Sequence, residues 1–263
     1  MHMQSPVVAR KPGQPGSLAP KSLARRIARR LMRWKYPANS LQVERAEHRF
    51  YLDYLREGMT VFDVGANFGE VTLLFSRFVG GGGHVHSFEA SSEVYGRLRQ
   101  MCDIAGRTNI SINHAAVADA AGVVQLHVYD REYSGWNSLA DRPLANYGID
   151  VKPIGVENVE STTIDDYCDE HGIDHIDLLK IDVEGAEYQV LLGARRMLQE
   201  KRVGCCVFEF GQTTFDMGNT PEEIRGYLNS LGYRIRNIVP GDPLFPGGTG
   251  VETARFSIHV AVP

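Results

Sequence analysis

Short apolar runs recurring between amphipathic segments constrain this chain more than any other feature. TVFDVG (Thr60–Gly65), HVHSFE (His84–Glu89), IDLLKID (Ile176–Asp182) and VGCCVFEF (Val203–Phe210) each read as a strand. Between them lie segments of helical spacing: EVTLLFSRFV, SSEVYGRLRQMCDIAG, TTIDDYCDEHG and AEYQVLLGARRMLQEK. Strands this apolar need cover on both faces, which a mostly parallel sheet flanked by helices provides. Ligands of such sheets bind outside the carboxyl ends of the strands. The acids that close the runs, Asp63, Glu89, Asp182 and Glu209, therefore bear on function more than the apolar residues before them.

The remaining segments complete the pattern. LQVERAEHRFYLDYLREG reads as a helix closed by Gly58, and ISINHAAV as a third strand. GVVQLHVY alternates like an antiparallel strand, and the long irregular section Asp130–Gly155 follows before another strand-like piece. TPEEIRGYLNSLG carries full helix signals: Thr220 as N-cap, Pro221 at N1, Glu223 closing a capping box and Gly232 as the stop. YRIRNIV and RFSIHVAV, joined by the loop PGDPLFPGGTG, imply an antiparallel edge.

Charge divides the chain into residues 1–40 and 41–263. Residues 1–20 are rich in Pro, Gly and Ser; KSLARRIARRLMRWKYP then places Leu23, Ile27 and Leu31 on one helical face, ending before Pro37. Arg10 to Lys35 holds nine Lys or Arg and no acid, so the rest carries −13 against the chain's −4. A basic helix lying on an acidic body is expected, ahead of a membrane-surface or nucleic-acid arm, since one unanchored helix binds membranes weakly. It also offers a surface for a homodimer. No apolar run approaches the roughly 20 residues of a membrane span. Four cysteines show no CxxC spacing, and no signal-peptide apolar region is evident, so buried thiols in a reducing cytoplasm are expected.

VFDVGANFGE, Val61–Glu70, is the strongest local signal: an acid ends a strand, and Gly65 and Gly69 sit in the turn to a helix. Glycines there permit positive φ and close backbone approach. The order D-x-G-x-x-x-G is not the pyrophosphate-binding G-x-G-x-x-G. Glu89, twenty residues past Gly69, stands where an acid accepts both hydroxyls of a ribose. Together they indicate a nucleoside cofactor without phosphates, and S-adenosyl-L-methionine, leaving as S-adenosyl-L-homocysteine, fits.

VFDVGANFGEVTLLFSR, HVHSFEAS, the AAVAD stretch Ala115–Asp119 and LLKIDVEGAEYQVLLGA together resemble the FkbM family of S-adenosylmethionine-dependent methyltransferases over roughly Thr60–Phe210. The resemblance implies an α/β, Rossmann-like class I methyltransferase fold. Its sheet would be mostly parallel and seven-stranded with an antiparallel final strand, helices on both faces, and extra strands inserted between the third and fourth sheet strands. It implies O-methylation of a hydroxyl on a small molecule or glycan. Carried over by residue, Asp63, Gly65, Ala66, Asn67 and Gly69 line the methionine end, Glu89 with Ala90 and Ser91 takes the ribose, Ala116, Val117 and Asp119 lie near the adenine, and Asp182 also contacts the cofactor.

A sulfonium is already a good methyl donor, so the protein must chiefly align the acceptor oxygen and remove its proton. Asp182, expected beside the methyl group, is the first candidate for base or orienting group; Glu184 and Glu209 are the next. Asp182 with Glu209 would suit a divalent metal such as Mg2+, which is disfavoured because the nine histidines show no ligand spacing. Lys180 is expected to pair with one of these acids, and Glu187 to answer a helix dipole, as Asp165 and Asp166 do. His114 reads as a satisfied histidine before a base, and Trp136, Asn137 and Ser138 as a cover over the acceptor or over the core. Competing functions are an RNA or protein methyltransferase using the basic arm, an inactive cofactor-binding scaffold, and a nicotinamide oxidoreductase. The acidic body disfavours nucleic acid, and the missing pyrophosphate loop disfavours the last.

Overall fold

The computed structural model describes residues 40–263, so the expected basic helix around Leu23–Leu31 lies outside the described residues. Seven strands form the main sheet: β1 (Thr60–Val64), β2 (His84–Glu89), β3 (Ile110–His114), β7 (Leu178–Ile181), β8 (Cys206–Phe210), β9 (Arg234–Asn237) and β10 (Ser257–Val262). Their order is β3-β2-β1-β7-β8-β10-β9, parallel except for β10, which runs antiparallel to both β8 and β9. A three-stranded sheet, β4 (Ala116–Val117), β5 (Gly122–Val128) and β6 (Gly155–Thr162), is inserted between β3 and β7 with order β4-β6-β5. This is the architecture expected from the sequence.

Strand periodicity sorts the core into two layers. Val61, Val85, Leu178, Val207 and Ile258 face α1 (Ser40–Tyr54) and α2 (Glu70–Val79), packing on Val43, Tyr51, Leu55, Phe75 and Val79. Phe62, Phe88, Leu179, Ile181 and Phe208 face the opposite way, onto Ile164, Val190, Leu191, Met197, Ile224 and Leu228. Those residues belong to α4 (Ile164–His171), α5 (Glu187–Gly193), α6 (Arg195–Gln199) and α8 (Pro221–Ser230). α3 (Ser92–Ala105) packs Leu98 and Cys102 near β3, and a short α7 (Gln212–Asp216), not foreseen from sequence, follows β8.

Two elements differ from expectation. ISINHAAV is not one strand: it leaves the main sheet after His114 and re-enters pairing as β4 beside β6. The long helix AEYQVLLGARRMLQEK is two, because the Asp165 carboxylate accepts the Arg196 and Met197 N–H groups (2.7 and 3.1 Å) and starts α6 afresh. Thr163 and Thr220 cap α4 and α8, the latter in the expected capping box.

Candidate active site

The acids that end the strands lie along the carboxyl edge of the sheet, and the alternation that buries Val61, Leu178 and Val207 under α1 and α2 aims Asp63, Lys180 and Glu209 to the same side. Asp63, at the end of β1, has no exposed surface. It accepts the Lys180 ammonium at 2.9 Å and the Thr72 hydroxyl. Lys180 also donates to the Gly65 carbonyl (3.3 Å) and stands 3.5 Å from Asp182 Oδ2. Burial opposes that ammonium, but Asp63 and Asp182 outweigh burial and raise Lys180 above the ordinary lysine range. The pairing expected for Lys180 is present, with Asp63 as main partner; Asp63 shapes the wall from within.

The glycine turn is held from three sides. Gly65 has φ 78°, and a Cβ there would lie 1.7 Å from the Asp182 carbonyl oxygen, so only glycine lets the ends of β1 and β7 approach. The Gly65 and Ala66 N–H groups donate to Phe88 O, and Gly69 is the N-cap of α2. Glu89 accepts the Asn67 N–H on one oxygen and the Ser91 N–H on the other, each at 2.9 Å. Burial pushes Glu89 up to about 7 against the pull of those two N–H groups. Each of its oxygens keeps a lone pair for a further donor, as a ribose would offer. Asn67 Oδ1 is buried without a hydrogen-bond partner. A turn with an orphan acceptor, a diol-sized carboxylate beside it and no pyrophosphate cradle fits a nucleoside that carries an ammonium.

Ala90 follows Glu89, and Ser91 is the buried N-cap of α3. Ala116 and Val117 are buried in β4, whereas Asp119 is exposed in the bend before β5. His114 is exposed and stacks on Tyr95 with ring centroids 4.6 Å apart.

The three acids after β7 part company. Asp182 keeps 37% of its side chain exposed. Glu184, at φ 52°, sends its carboxylate to Arg142 (3.4 Å), while its carbonyl accepts the Ser138 hydroxyl (2.7 Å). Glu187, 1% exposed, accepts the Val183 and Gly185 N–H groups on Oε1 and leaves Oε2 buried without a partner. Glu187 thus staples the loop, a role beyond the expected dipole contact, and burial pushes it up to about 7. Glu209 follows the β7–β8 register, Ile181 opposite Phe208, to the place beside Asp182. Burial first, then Asp182, Glu184, Glu187 and Glu47, keep its proton on well above the ordinary carboxyl range. Among the described residues no three His, Cys, Asp or Glu gather at metal-binding spacing.

The irregular insertion covers this edge. Trp136 is buried with Tyr129 and Leu144 in a small core of its own, and Asn137 accepts the Tyr129 N–H. Arg142, its side chain 2% exposed, joins Glu184 to Asp216 of α7 (3.2 Å), and Tyr147 donates to the same Asp216. Sequence reasoning missed Arg142 and Asp216, for which no periodic signal exists, and missed Glu47 and Tyr51 of α1. The last two had a signal: Val43, Glu47, Tyr51 and Leu55 recur every fourth residue, placing an acid on a buried stripe.

Fold and site together define the class: an S-adenosylmethionine-dependent methyltransferase, with a glycine turn and acid-terminated strands along one edge of the sheet. The chain belongs to the FkbM methyltransferase family, since the profile described as Methyltransferase FkbM domain matches residues 63–235. It is 31% identical over 216 residues to the 31-O-demethyl-FK506 methyltransferase FkbM of Streptomyces tacrolimicus, spanning 73% of this chain and 78% of that one. It is 26% identical over 173 residues to the 2-O-methyltransferase NoeI of Sinorhizobium fredii, spanning 63% and 68%. Among solved structures, methyltransferase FkbM from Methylobacillus flagellatus KT aligns over 91% of this chain and 59% of its own, at 15% identity and TM-score 0.49.

Proposed function

We propose that this enzyme methylates a hydroxyl oxygen of a sugar, glycan or natural product, with Asp182 taking or orienting the acceptor's proton. The observation that carries this is the division of labour among the acids. Asp63 and Glu187 are spent inside the wall and Glu184 is tied to Arg142, whereas Asp182 keeps an exposed carboxyl at the carboxyl end of β7. Both relatives are named for methylation at oxygen, which supports the same acceptor chemistry.

The sulfonium of S-adenosylmethionine supplies the electrophilic methyl group. The chain's own residues supply alignment and proton handling. In this reading Asn67 accepts from the cofactor's ammonium through its orphan Oδ1, and Glu89 accepts from the ribose hydroxyls. Gly65, Ala66, Gly69, Ala90 and Ser91 form the turn and strand end around them, with Ala116, Val117 and Asp119 toward the adenine. Lys180 fixes Asp182 beside the glycine turn, and Glu209 stands next to it holding a proton. Asp182 withdraws the acceptor's proton as the oxygen gains its methyl group, so the alcohol never has to leave as a cationic oxonium.

Labelled methyl donor offered to a panel of hydroxylated sugars and polyketides tests this. Label on a hydroxyl oxygen is expected; label only on nitrogen, RNA or protein would overturn it. Asp182→Asn should lower turnover by about 10²- to 10⁴-fold while S-adenosylhomocysteine still binds. Loss of both together would make Asp182 a cofactor ligand instead. Turnover that survives EDTA supports proton removal by Asp182 alone, whereas loss restored by Mg2+ would put a metal at Asp182 and Glu209.

A further inference from the structure

α1 brings a fourth element to the site. Its C-terminal end is anchored at the amino edge of the sheet, where the Tyr54 hydroxyl donates to the Asp177 carbonyl (3.0 Å) just before β7. Asp177 in turn accepts the Thr60 N–H at the start of β1. The helix therefore runs against the parallel strands, and its N-terminal half stands at their carboxyl edge. Tyr51, with no exposed surface, packs edge-on against Phe75 and donates its hydroxyl to Glu47 Oε1 at 2.7 Å. Among the described residues Glu47 has no other hydrogen-bond or ion-pair partner. Burial raises its carboxyl, opposed by the Tyr51 hydroxyl and the Lys180 ammonium, and Asp182 adds to the rise. Glu47 in turn is one of the charges that act on Glu209.

Among the described residues, the carboxyl groups around this point outnumber the cations. Tyr51 packs in the same layer as Leu178 and Val207, the residues two before Lys180 and Glu209, so Glu47, one turn nearer the carboxyl edge, comes within electrostatic reach of Asp182 and Glu209, and Glu187 keeps a buried unpartnered oxygen. Lys180 is consumed mainly by Asp63, Arg142 by Glu184 and Asp216, and His48 lies on α1 itself. Among the described residues, a cluster built this way is short of positive charge. The cofactor carries a positive charge before the reaction, on its sulfonium, and has lost it afterwards as a thioether.

We propose that Glu47, steadied by Tyr51, is a third carboxyl group of the transfer site and that, with Asp182 and Glu209, it selects the charged methyl donor over its neutral product. This rests on the assignment of Asp182 and Glu209 to the point of methyl transfer. The arriving cation stabilises the ionised carboxyls and draws off the proton that Glu209 holds, and its loss on transfer removes that stabilisation and favours release of S-adenosylhomocysteine.

Calorimetry with S-adenosylmethionine and S-adenosylhomocysteine, without any acceptor, tests the inference. Glu47→Gln keeps an oxygen for the Tyr51 hydroxyl, so the fold is expected to persist. Its affinity for the methyl donor should fall about five- to tenfold, the size of one partly screened charge contact, with that for the product within twofold. Tyr51→Phe, which frees Glu47 without discharging it, should give a smaller shift in the same direction. A parallel fall for both ligands, or no change for either, would overturn the role of Glu47. Glu209→Gln separates the two levels: if it too leaves the affinity ratio unchanged, the placement of the transfer point fails; if it alters the ratio and Glu47→Gln does not, only this inference fails. Wild-type protein gives a measurement free of variants. In buffers of different ionisation enthalpy the methyl donor should release more protons on binding than the product does, and equal release would count against the selection.

Discussion

Glu89 and Glu187 each hold two backbone N–H groups and yet are both pushed up to about 7 by burial. A raised folded-state value means that each favours the folded protein most below the unfolded value near 4.5. That contribution is lost as pH rises through about 7. Glu187→Gln cannot ionise, so it should gain roughly 2–3 kcal/mol on wild type between pH 5 and pH 8, read from urea unfolding at the two values. With Glu89 holding the ribose as proposed, the ligand would reverse the preference, because the ionised carboxylate is the better acceptor for a diol. S-adenosylhomocysteine affinity should therefore strengthen as pH rises through about 7, by at most about tenfold per unit, and Glu89→Gln should bind more weakly with a flat profile. Of this, sequence revealed an acid closing the second strand. It did not reveal that the same carboxylate ties Asn67, because that bond spans the turn between two strands and depends on the φ 48° that Asn67 adopts.

Among the elements, strands were legible where both faces are buried, because a continuous apolar run such as LLKI admits few other readings. Boundaries set by a side chain from elsewhere were not: α6 begins where Asp165 of α4 caps it, a contact across 31 residues. The insertion was the least legible, since its order comes from Arg142, a buried cation shared by Glu184 and Asp216. Arg142→Met leaves the Asp216 charge buried without its cation, held only by the Tyr147 hydroxyl, and should cost about 3–5 kcal/mol. The double variant Arg142→Met/Asp216→Leu should recover most of it, both measured by denaturant unfolding. Because Arg142 also holds Glu184, hydrogen exchange in the single variant should rise in the loop after β7 as well as in the insertion.

At the scale of the molecule, a cofactor that binds only the folded chain raises stability by mass action. Saturation with S-adenosylhomocysteine at a hundred times its dissociation constant should add about 2.7 kcal/mol, a rise in Tm of roughly 5–10 °C for a domain of this size. NADH should give none, for want of a pyrophosphate loop; an equal rise with NADH would contradict the cofactor class. That the sheet is mostly parallel and covered on both faces followed from apolar patterning, but the place of β10 could not, because two strands joined by a loop can pair in more than one order. β10 lies between β8 and β9, and β9 touches the sheet only through it. A ribosome therefore delivers β9 before anything exists for it to join. Until β10 emerges, the edge of β8 from Cys206 to Phe210 stays unpaired, with Glu209 on it. The nascent enzyme thus passes through a stage that holds every earlier strand of the sheet yet is sticky at one edge. An arrest-peptide force profile should show its late pulling event only once Ser257–Val262 has cleared the exit tunnel.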